Sequence, residues 1–347
     1  MKNRKDSVLK KGIAGIFLGE GIATTVVNLK RRIRMSDEFV NDCENTSESE
    51  SVMRKSKSIL ITGANSYIGM SVESWLTRSA DQYVIDTLDM RDDAWKDTDF
   101  SKYDVVYHVA GIAHADVGNV TEEQKQLYYK VNTDLAIEVA KKAKESGVKQ
   151  FIFMSSMIVY SGCAEKVITK QTIPEPLNFY GDSKWQADQK VRELSTDTFK
   201  VVVLRPPMIY GKGSKGNYPE LAKLASKLPI FPIVKNKRSM LHIDNLCQFV
   251  KLMIDNEESG VFFPQNAEYT NTSDMVQMIA DVKGHCIVMI PGVNWAVKLL
   301  ALVPGKIGGL ATKAFGDSAY EMDMSEYKED YRVNSLIKSI YLTEGNE

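Results

Sequence analysis

Cysteine and histidine are scarce: four of each occur in 347 residues. Cys43, Cys163, Cys247 and Cys286 form no CxxC pair. That excludes a cysteine-rich metal site and points to free thiols in a reducing, cytoplasmic compartment. The histidines also lack metal-ligand spacing, so no metal is expected. His108 and His242 fall inside apolar, strand-like runs and are read as core residues. An excess of one charge is missing too. Lys and Arg number 44 against 45 Asp and Glu, and nothing calls for a nucleic-acid partner. No convincing membrane span is present. The apolar stretch 12–27 carries Glu20 and several glycines and is shorter than the roughly 20 residues a span needs. No clear small-residue cleavage site follows it, which argues against a signal peptide. The apolar run 295–303 is shorter still and is expected to pack into the fold.

What is present reads as an ordinary globular protein, 44% hydrophobic and 26% charged. Its length suits one large α/β unit or two smaller domains. Residues 1–57 differ from the rest. Basic blocks at 2–11 and 30–34 flank the apolar stretch, and 36–57 is rich in Ser, Glu, Asp and Asn. We read this part as a disordered or loosely attached extension. The alternative is a basic amphipathic segment with weak membrane-surface association. The folded part is expected from about Ser58.

From there short apolar runs alternate with helical stretches. Strands are predicted at 59–61, 83–88, 105–109, 151–154 and 201–204, and helices at 68–79, 122–146 and 180–194. Alternation of this kind indicates βαβ units and a parallel sheet covered on both faces. After Arg205 the regularity fades into loops, short strands and helices at 219–227, 244–255, 272–282 and 293–302. The expected fold is α/β: a Rossmann-type doubly wound parallel sheet over 58–210, with a smaller mixed C-terminal lobe over 211–347 that mainly binds substrate.

Two local patterns carry chemistry. Thr62-Gly63-Ala64-Asn65-Ser66-Tyr67-Ile68-Gly69 follows the first strand and opens the first helix. Backbone N–H groups and a helix N-terminus at such a turn receive a pyrophosphate. Ser66 stands where a glycine usually lets the backbone approach. An acidic residue about 20 positions on holds the adenosine ribose, and Asp86 and Asp89 are the candidates. They favour NAD, although Arg91 raises the alternative of a 2′-phosphate. The second pattern is Tyr180-Gly181-Asp182-Ser183-Lys184. Tyr180 is the only tyrosine with a lysine four residues on, a spacing that puts both on one helical face. A nearby ammonium favours the phenolate and would move Tyr180 toward neutrality as a general base or acid. Ser156 lies just past the end of a strand, where its hydroxyl can meet that of Tyr180.

Taken in order, the motifs resemble those of the extended short-chain dehydrogenase/reductases, and within them the NAD-dependent epimerase/dehydratase family. They are Thr62-Gly63-x-x-Ser66-x-x-Gly69, His108-Val109-Ala110-Gly111, Asn132, Ser155-Ser156-x-x-Val159-Tyr160, Tyr180-x-x-x-Lys184, Leu204-Arg205-Pro206-x-x-x-Tyr210-Gly211 and Arg238-x-x-x-His242-x-Asp244-x-Leu246. The resemblance covers about residues 58–260.

It implies roles for single residues. Gly63, Asn65, Ser66, Tyr67, Ile68 and Gly69 would cradle the NAD pyrophosphate. Asp89 and Met90 would border the adenine side, with Asp86 as an alternative on the ribose. Val109, Ala110 and Gly111 would line the cofactor's centre, and Asn132 would steady it. Lys184 would bind the nicotinamide ribose and lower the Tyr180 pKa, with Pro207 and Ile209 bordering the nicotinamide. Arg238 would hold the diphosphate of a nucleotide-sugar substrate, with Asn217 nearby.

The implied reaction is epimerisation at C4 of a nucleotide-activated hexose, with Ser156 orienting the hydroxyl that Tyr180 deprotonates. Met157 and Ile158 stand where a dehydratase carries Asp and Glu, which argues against 4,6-dehydration. Alternatives are a 4-keto-reductase, a 4-epimerase of a polyprenyl-diphosphate-linked sugar and a non-catalytic NAD-binding scaffold. The resemblance also implies a homodimer, through helices such as 122–146 and 180–194.

Overall fold

The computed structural model describes residues 56–113, 120–292 and 316–345. The N-terminal extension, the apolar run 295–303 and the helix expected at 293–302 lie outside the described residues, apart from the last two residues of the extension.

Strand β1 (Lys57–Thr62) leads into helix α1 (Tyr67–Leu76) and then β2 (Tyr83–Leu88). Next come β3 (Val105–His108), α2 (Glu122–Tyr129), a π-helical turn (Lys130–Asp134) and α3 (Leu135–Glu145). The helix expected at 122–146 is therefore interrupted by one wide turn. A capping box at its start, between Thr121 and Gln124, fixes the entry. Strand β4 (Gln150–Met154), the short β5 (Val167–Ile168), α4 (Phe179–Arg192) and β6 (Lys200–Leu204) follow. The later part holds β7 (Met208–Tyr210), α5 (Asn217–Lys227), β8 (Ile230–Pro232), β9 (Met240–His242), α6 (Ile243–Asp255) and β10 (Gly260–Phe262). It continues with α7 (Thr272–Val282), β11 (Val288–Ile290), β12 (Ala319–Tyr320) and α8 (Leu336–Glu344).

The main sheet has the order β10-β6-β4-β3-β1-β2, and every pairing is parallel. Its central strands β3, β4 and β6 are buried and largely apolar on both faces, as a doubly covered sheet requires. Ile59 and Ile61 of β1 pack on one side with Val72 and Leu76 of α1 and Leu246 and Val250 of α6. Leu60 packs on the other side with Val139 and Ala143 of α3 and Ala187 and Val191 of α4. The strand order reverses at β1, between β2 and β3. In such sheets ligands bind outside the carboxyl ends of the strands at that point.

Beyond the division expected at 210/211, α6 and β10 return to this sheet. The remaining elements form two-stranded pairs, β7 with β9, β8 with β11 and β5 with β12. The first two pairs pack with α5, α7 and α8 around Tyr210, Tyr218, Met275 and Ile340, whereas Ile168 of β5 and Tyr320 of β12 pack with Met157, Tyr160 and Met324. Among the described residues no helix is long and apolar enough to cross a membrane.

One buried ion pair joins the strand ends to this later part. Asp188 of α4 accepts two hydrogen bonds from Arg205, from Nε and Nη2, both at 2.8 Å. Ser155 Oγ donates to the same carboxylate at 2.9 Å, and Arg205 Nη1 donates to Tyr160 Oη at 2.6 Å. Both ions are withdrawn from water; removing Asp188 strands Arg205 in the core, whereas removing Arg205 leaves the Asp188 carboxylate with the half-exposed Arg192, at 3.0 Å, as its remaining cation. We expect Asp188→Asn or Arg205→Met alone to cost about 3–5 kcal/mol in urea unfolding. Asp188→Leu with Arg205→Met should cost less than the two single changes summed.

Candidate active site

The turn after β1 folds tightly over the end of β2. The N–H groups of Gly63 and Ala64 both donate to Leu88 O, at 2.9 and 3.1 Å. Gly63 has φ +96°, and a Cβ there would come within 2.8 Å of the Ala110 backbone, so a side chain is excluded by both strain and space. Ser66, which departs from the glycine pattern, caps α1: its Oγ accepts from Gly69 N at 3.1 Å. The N–H groups of Tyr67 and Ile68 open the same helix, and both residues line the cleft with Asn65 and Ser66. A narrow turn ending in a helix N-terminus fits a dinucleotide's pyrophosphate.

Of the two acidic candidates, Asp89 directly follows β2 beside this turn. Arg91 donates to its carboxylate, at 3.0 and 2.8 Å from Nε, and holds its pKa below the usual range. Asp86 lies mid-strand opposite Leu60. It braces Tyr103 Oη at 2.7 Å and Lys102 Nζ at 3.1 Å, which also lower its pKa. The structure thus places Asp89 at the strand end and commits Asp86 to a structural contact. Met90 and Ala110 are buried in the core beside Leu60, while Val109 and Gly111 line the cleft.

Asn132 sits in the π-helical turn, buried. Its side chain clamps Ile112, accepting from the N–H at 2.8 Å and donating to the carbonyl at 3.0 Å. It also donates to Ser183 Oγ at 3.2 Å. A Cβ on Gly111 would lie 3.0 Å from both Asn132 Oδ1 and Lys184 Nζ. Asn132 therefore shapes the loop that carries Gly111.

The catalytic candidates gather at the carboxyl end of β4. Ser156 caps a short 3-10 turn, Met157–Tyr160. Asn178 caps α4 by accepting from Gly181 N at 3.0 Å, which sets Tyr180 in the first turn. The Ser156 hydroxyl lies near enough to that of Tyr180 to favour its phenolate. Lys184, one turn on, donates to Met154 O at 3.0 Å.

The electrostatics differ from the sequence expectation. The Tyr180 pKa is pushed up to about 12, chiefly by burial and only partly offset by the Ser156 hydroxyl. Burial also lowers Lys184 to about 8. A spacing of four brought the two onto one face, but the ammonium is turned to Met154 O, and desolvation dominates both groups.

Ser156, Tyr180 and Lys184 share one cleft with Pro207, Ile209, Asn217 and Arg238, with a volume of about 710 Å³. Arg238 is largely buried and donates from Nη1 to Gly316 O at 3.1 Å. Burial lowers its pKa and Asp317 acts against that. Asn217 begins α5, whose preceding Gly216 offers no side-chain cap. Of the lysines near Arg238 in the chain, Lys215 lines the cleft, whereas Lys237 lies over the Tyr269 ring at 4.0 Å.

Sequence reasoning missed Ser214, Ser239 and Ser318, which also line the cleft. Ser239 and Ser318 reach it through a bridge of strand type between Arg238 and Ser318, for which no local pattern exists. The two core histidines are buried. Thr62 Oγ1 lies 2.7 Å from His108 Nδ1, and the His108 Nε2 has no partner. Burial drops the His108 pKa to about 3, which keeps its ring neutral. His242 Nδ1 accepts from Asp244 N at 3.3 Å.

Comparison with known proteins identifies the family. Residues 57–293 match the family model described as the RmlD substrate binding domain. The chain is 32% identical over 301 residues to a UDP-glucose 4-epimerase of Vibrio cholerae, covering 79% of this chain and 89% of that protein. It is 28% identical over 228 residues to an N-acetyl-alpha-D-glucosaminyl-diphospho-ditrans,octacis-undecaprenol 4-epimerase of Escherichia coli, covering 64% and 65%. Among solved structures, a UDP-glucuronic acid 4-epimerase mutant of Bacillus cereus, bound to UDP-4-deoxy-4-fluoro-glucuronic acid and NAD, superposes with a TM-score of 0.58 at 20% identity, over 82% and 97% of the two chains. Motifs, sheet order and sequence match together show that the chain belongs to the RmlD substrate binding domain family, within the extended short-chain dehydrogenase/reductases.

Proposed function

We propose that this protein is an NAD-dependent epimerase that inverts C4 of a nucleotide-activated hexose, with UDP as the nucleotide. The observation that carries the reading is the meeting of Ser156, Tyr180 and Lys184 in one cleft with the Asn65–Ile68 turn. The similarity to the Vibrio cholerae UDP-glucose 4-epimerase supports it.

Gly63, Asn65, Ser66, Tyr67, Ile68 and Gly69 would hold the dinucleotide's pyrophosphate. Asp89 would take its ribose, and Val109, Gly111, Pro207 and Ile209 its central and nicotinamide parts. The cofactor, when bound, supplies hydride uptake and return at C4. The chain's own groups do the rest. Ser156 Oγ hydrogen-bonds the C4 oxygen and fixes it beside Tyr180 Oη. Tyr180 takes the C4 hydroxyl proton and returns it after the 4-keto sugar has turned. Taking that proton near neutral pH calls for a positive charge beside the phenol, and Lys184 carries one a single helical turn away. Arg238 and Lys215 would hold the diphosphate while the sugar turns, and guanidinium geometry suits that task. Met157 and Ile158 offer no acid or base for dehydration.

A second reading has the Escherichia coli relative in its favour: the same C4 chemistry on a polyprenyl-diphosphate sugar. Incubation of the purified protein with UDP-glucose and UDP-N-acetylglucosamine separates the two. Formation of the C4 epimers supports the nucleotide substrate. Reaction of a polyprenyl-diphosphate sugar alone supports the second reading.

Tyr180→Phe should lower turnover by about 10²–10⁴-fold while nucleotide-sugar binding, read by calorimetry, stays within a few-fold. Lys184 supplies a pH signature of its own. Its folded-state pKa lies near 8 against a reference of 10.5. Between those values the unfolded chain binds a proton that the folded chain lacks, so this group's contribution to stability rises with pH. The rise amounts to at most about 3 kcal/mol. Denaturant unfolding of the ligand-free protein from pH 7.5 to 10 should show it, and Lys184→Met should remove it.

A further inference from the structure

Most serines that line the cleft have their hydroxyls in use. Ser66 caps α1, Ser156 caps its 3-10 turn, and Ser161 Oγ accepts from Leu177 N at 2.9 Å. Ser155 donates to Asp188, Ser239 to Gln265 Oε1 and Ser318 to the Met157 sulfur. Ser214 is the exception among the described residues. It lines the cleft and is only 9% exposed, yet its Oγ has no hydrogen-bond partner. A buried hydroxyl normally finds a partner, because leaving it unpaired costs free energy. One that lines a cleft unpaired points to a ligand atom as its partner.

The surroundings say which kind of atom. From Pro206 to Pro219 the chain carries Lys212 and Lys215 and no Asp or Glu. Lys215 and Arg238 line the same cleft as Ser214. Helix α5 begins just beyond, at Asn217, with no side chain capping its start, and a helix start favours an anion. The Ser214 N–H donates to Gly211 O at 3.0 Å and closes a tight turn. That turn leans on the first residue of α1. A Cβ on Gly211 would lie 2.6 Å from Tyr67 Oη, and one on Gly213 would lie 4.0 Å from the Tyr67 ring. Ser214 therefore sits on the loop where the turn suited to the cofactor's phosphates meets the cations suited to the substrate's. A hydroxyl in positive surroundings donates most strongly to an ionised oxygen.

We propose that Ser214 Oγ donates a hydrogen bond to a phosphoryl oxygen, of the dinucleotide's pyrophosphate or of the sugar nucleotide's diphosphate. The proposal rests on the NAD and nucleotide-sugar reading above and adds a binding residue to it.

The test compares the full chain with Ser214→Ala. Urea unfolding without ligand should show no loss of stability, because the substitution removes no hydrogen bond within the protein. Calorimetric titration with NAD, and with UDP in saturating NAD, reads the two sources separately. Ser214→Ala should weaken one of them by about fivefold or more: NAD if the acceptor is on the dinucleotide, UDP if it is on the substrate. Ser214→Asp should weaken the same ligand by about tenfold more than Ser214→Asn, because a carboxylate repels an anion that an amide tolerates. If Ser214→Ala destabilises the ligand-free protein, or binds NAD and UDP as the unaltered chain does, the proposal is overturned while the nucleotide-sugar reading stands. Equal binding by the Asp and Asn variants overturns it too, since the partner is then no anion. If the unaltered chain binds neither NAD nor UDP, that reading falls and takes this proposal with it.

Discussion

The buried pair between Asp188 and Arg205 is the interaction on which the site's geometry rests. Asp188 lies one helical turn beyond Lys184 on α4, so anchoring its carboxylate anchors the helix that carries Tyr180 and Lys184. Ser155, next to Ser156, donates to that carboxylate. Arg205 closes β6 just before Pro206 and Pro207, and its carbonyl accepts from Tyr320 Oη at 2.8 Å. Its N–H donates to Phe262 O of β10 at 2.9 Å. One pair therefore ties together two central strand ends, helix α4, the edge strand and the β12 segment that brings Ser318 to the cleft. The guanidinium is further enclosed by the rings of Tyr160, Trp185 and Phe263, with centroids 5.5, 5.1 and 5.8 Å away. Such a pair adds little net stability over an apolar replacement, but its two-pronged geometry admits few alternative arrangements.

A second constraint works against stability. Lys184 and Tyr180 are both removed from water without a compensating ion, and their pKa values are displaced in opposite directions by the same cause. A site that holds an ammonium and a phenol this way is prepared for a ligand whose charge and hydroxyls complete it. Perturbed titrations of this kind cluster where chemistry is done.

Much of the fold was legible because a parallel sheet covered on both faces writes itself as short apolar runs. β2 spans the predicted residues, and β1, β4 and β6 differ by one or two at their ends. The strand–turn–helix at Thr62–Gly69 was legible for a related reason: only a residue without Cβ fits at Gly63. The interruption of the 122–146 helix was not, since no proline or glycine marks the turn at Lys130–Asp134. It is paired with a tertiary clamp, Asn132 on Ile112. The choice between Asp86 and Asp89 was also hidden, because it depends on what Tyr103 and Lys102 reach. The Tyr180 pKa went the other way because spacing reports proximity and says nothing of solvation. Ser239 and Ser318 meet the cleft through contacts some 80 residues apart, beyond any local pattern.

The central claim is that the hydride removed from C4 goes back to the same sugar, with Tyr180 handling the proton at both ends. The most direct measurement uses UDP-glucose and UDP-N-acetylglucosamine carrying deuterium at C4, incubated with the purified protein and an excess of unlabelled NAD. The account predicts C4-epimerised product that keeps its deuterium, with no net reduction of the nicotinamide pool. Washout of deuterium into that pool, or consumption of one reduced nicotinamide per sugar converted, would contradict it and make the protein a reductase.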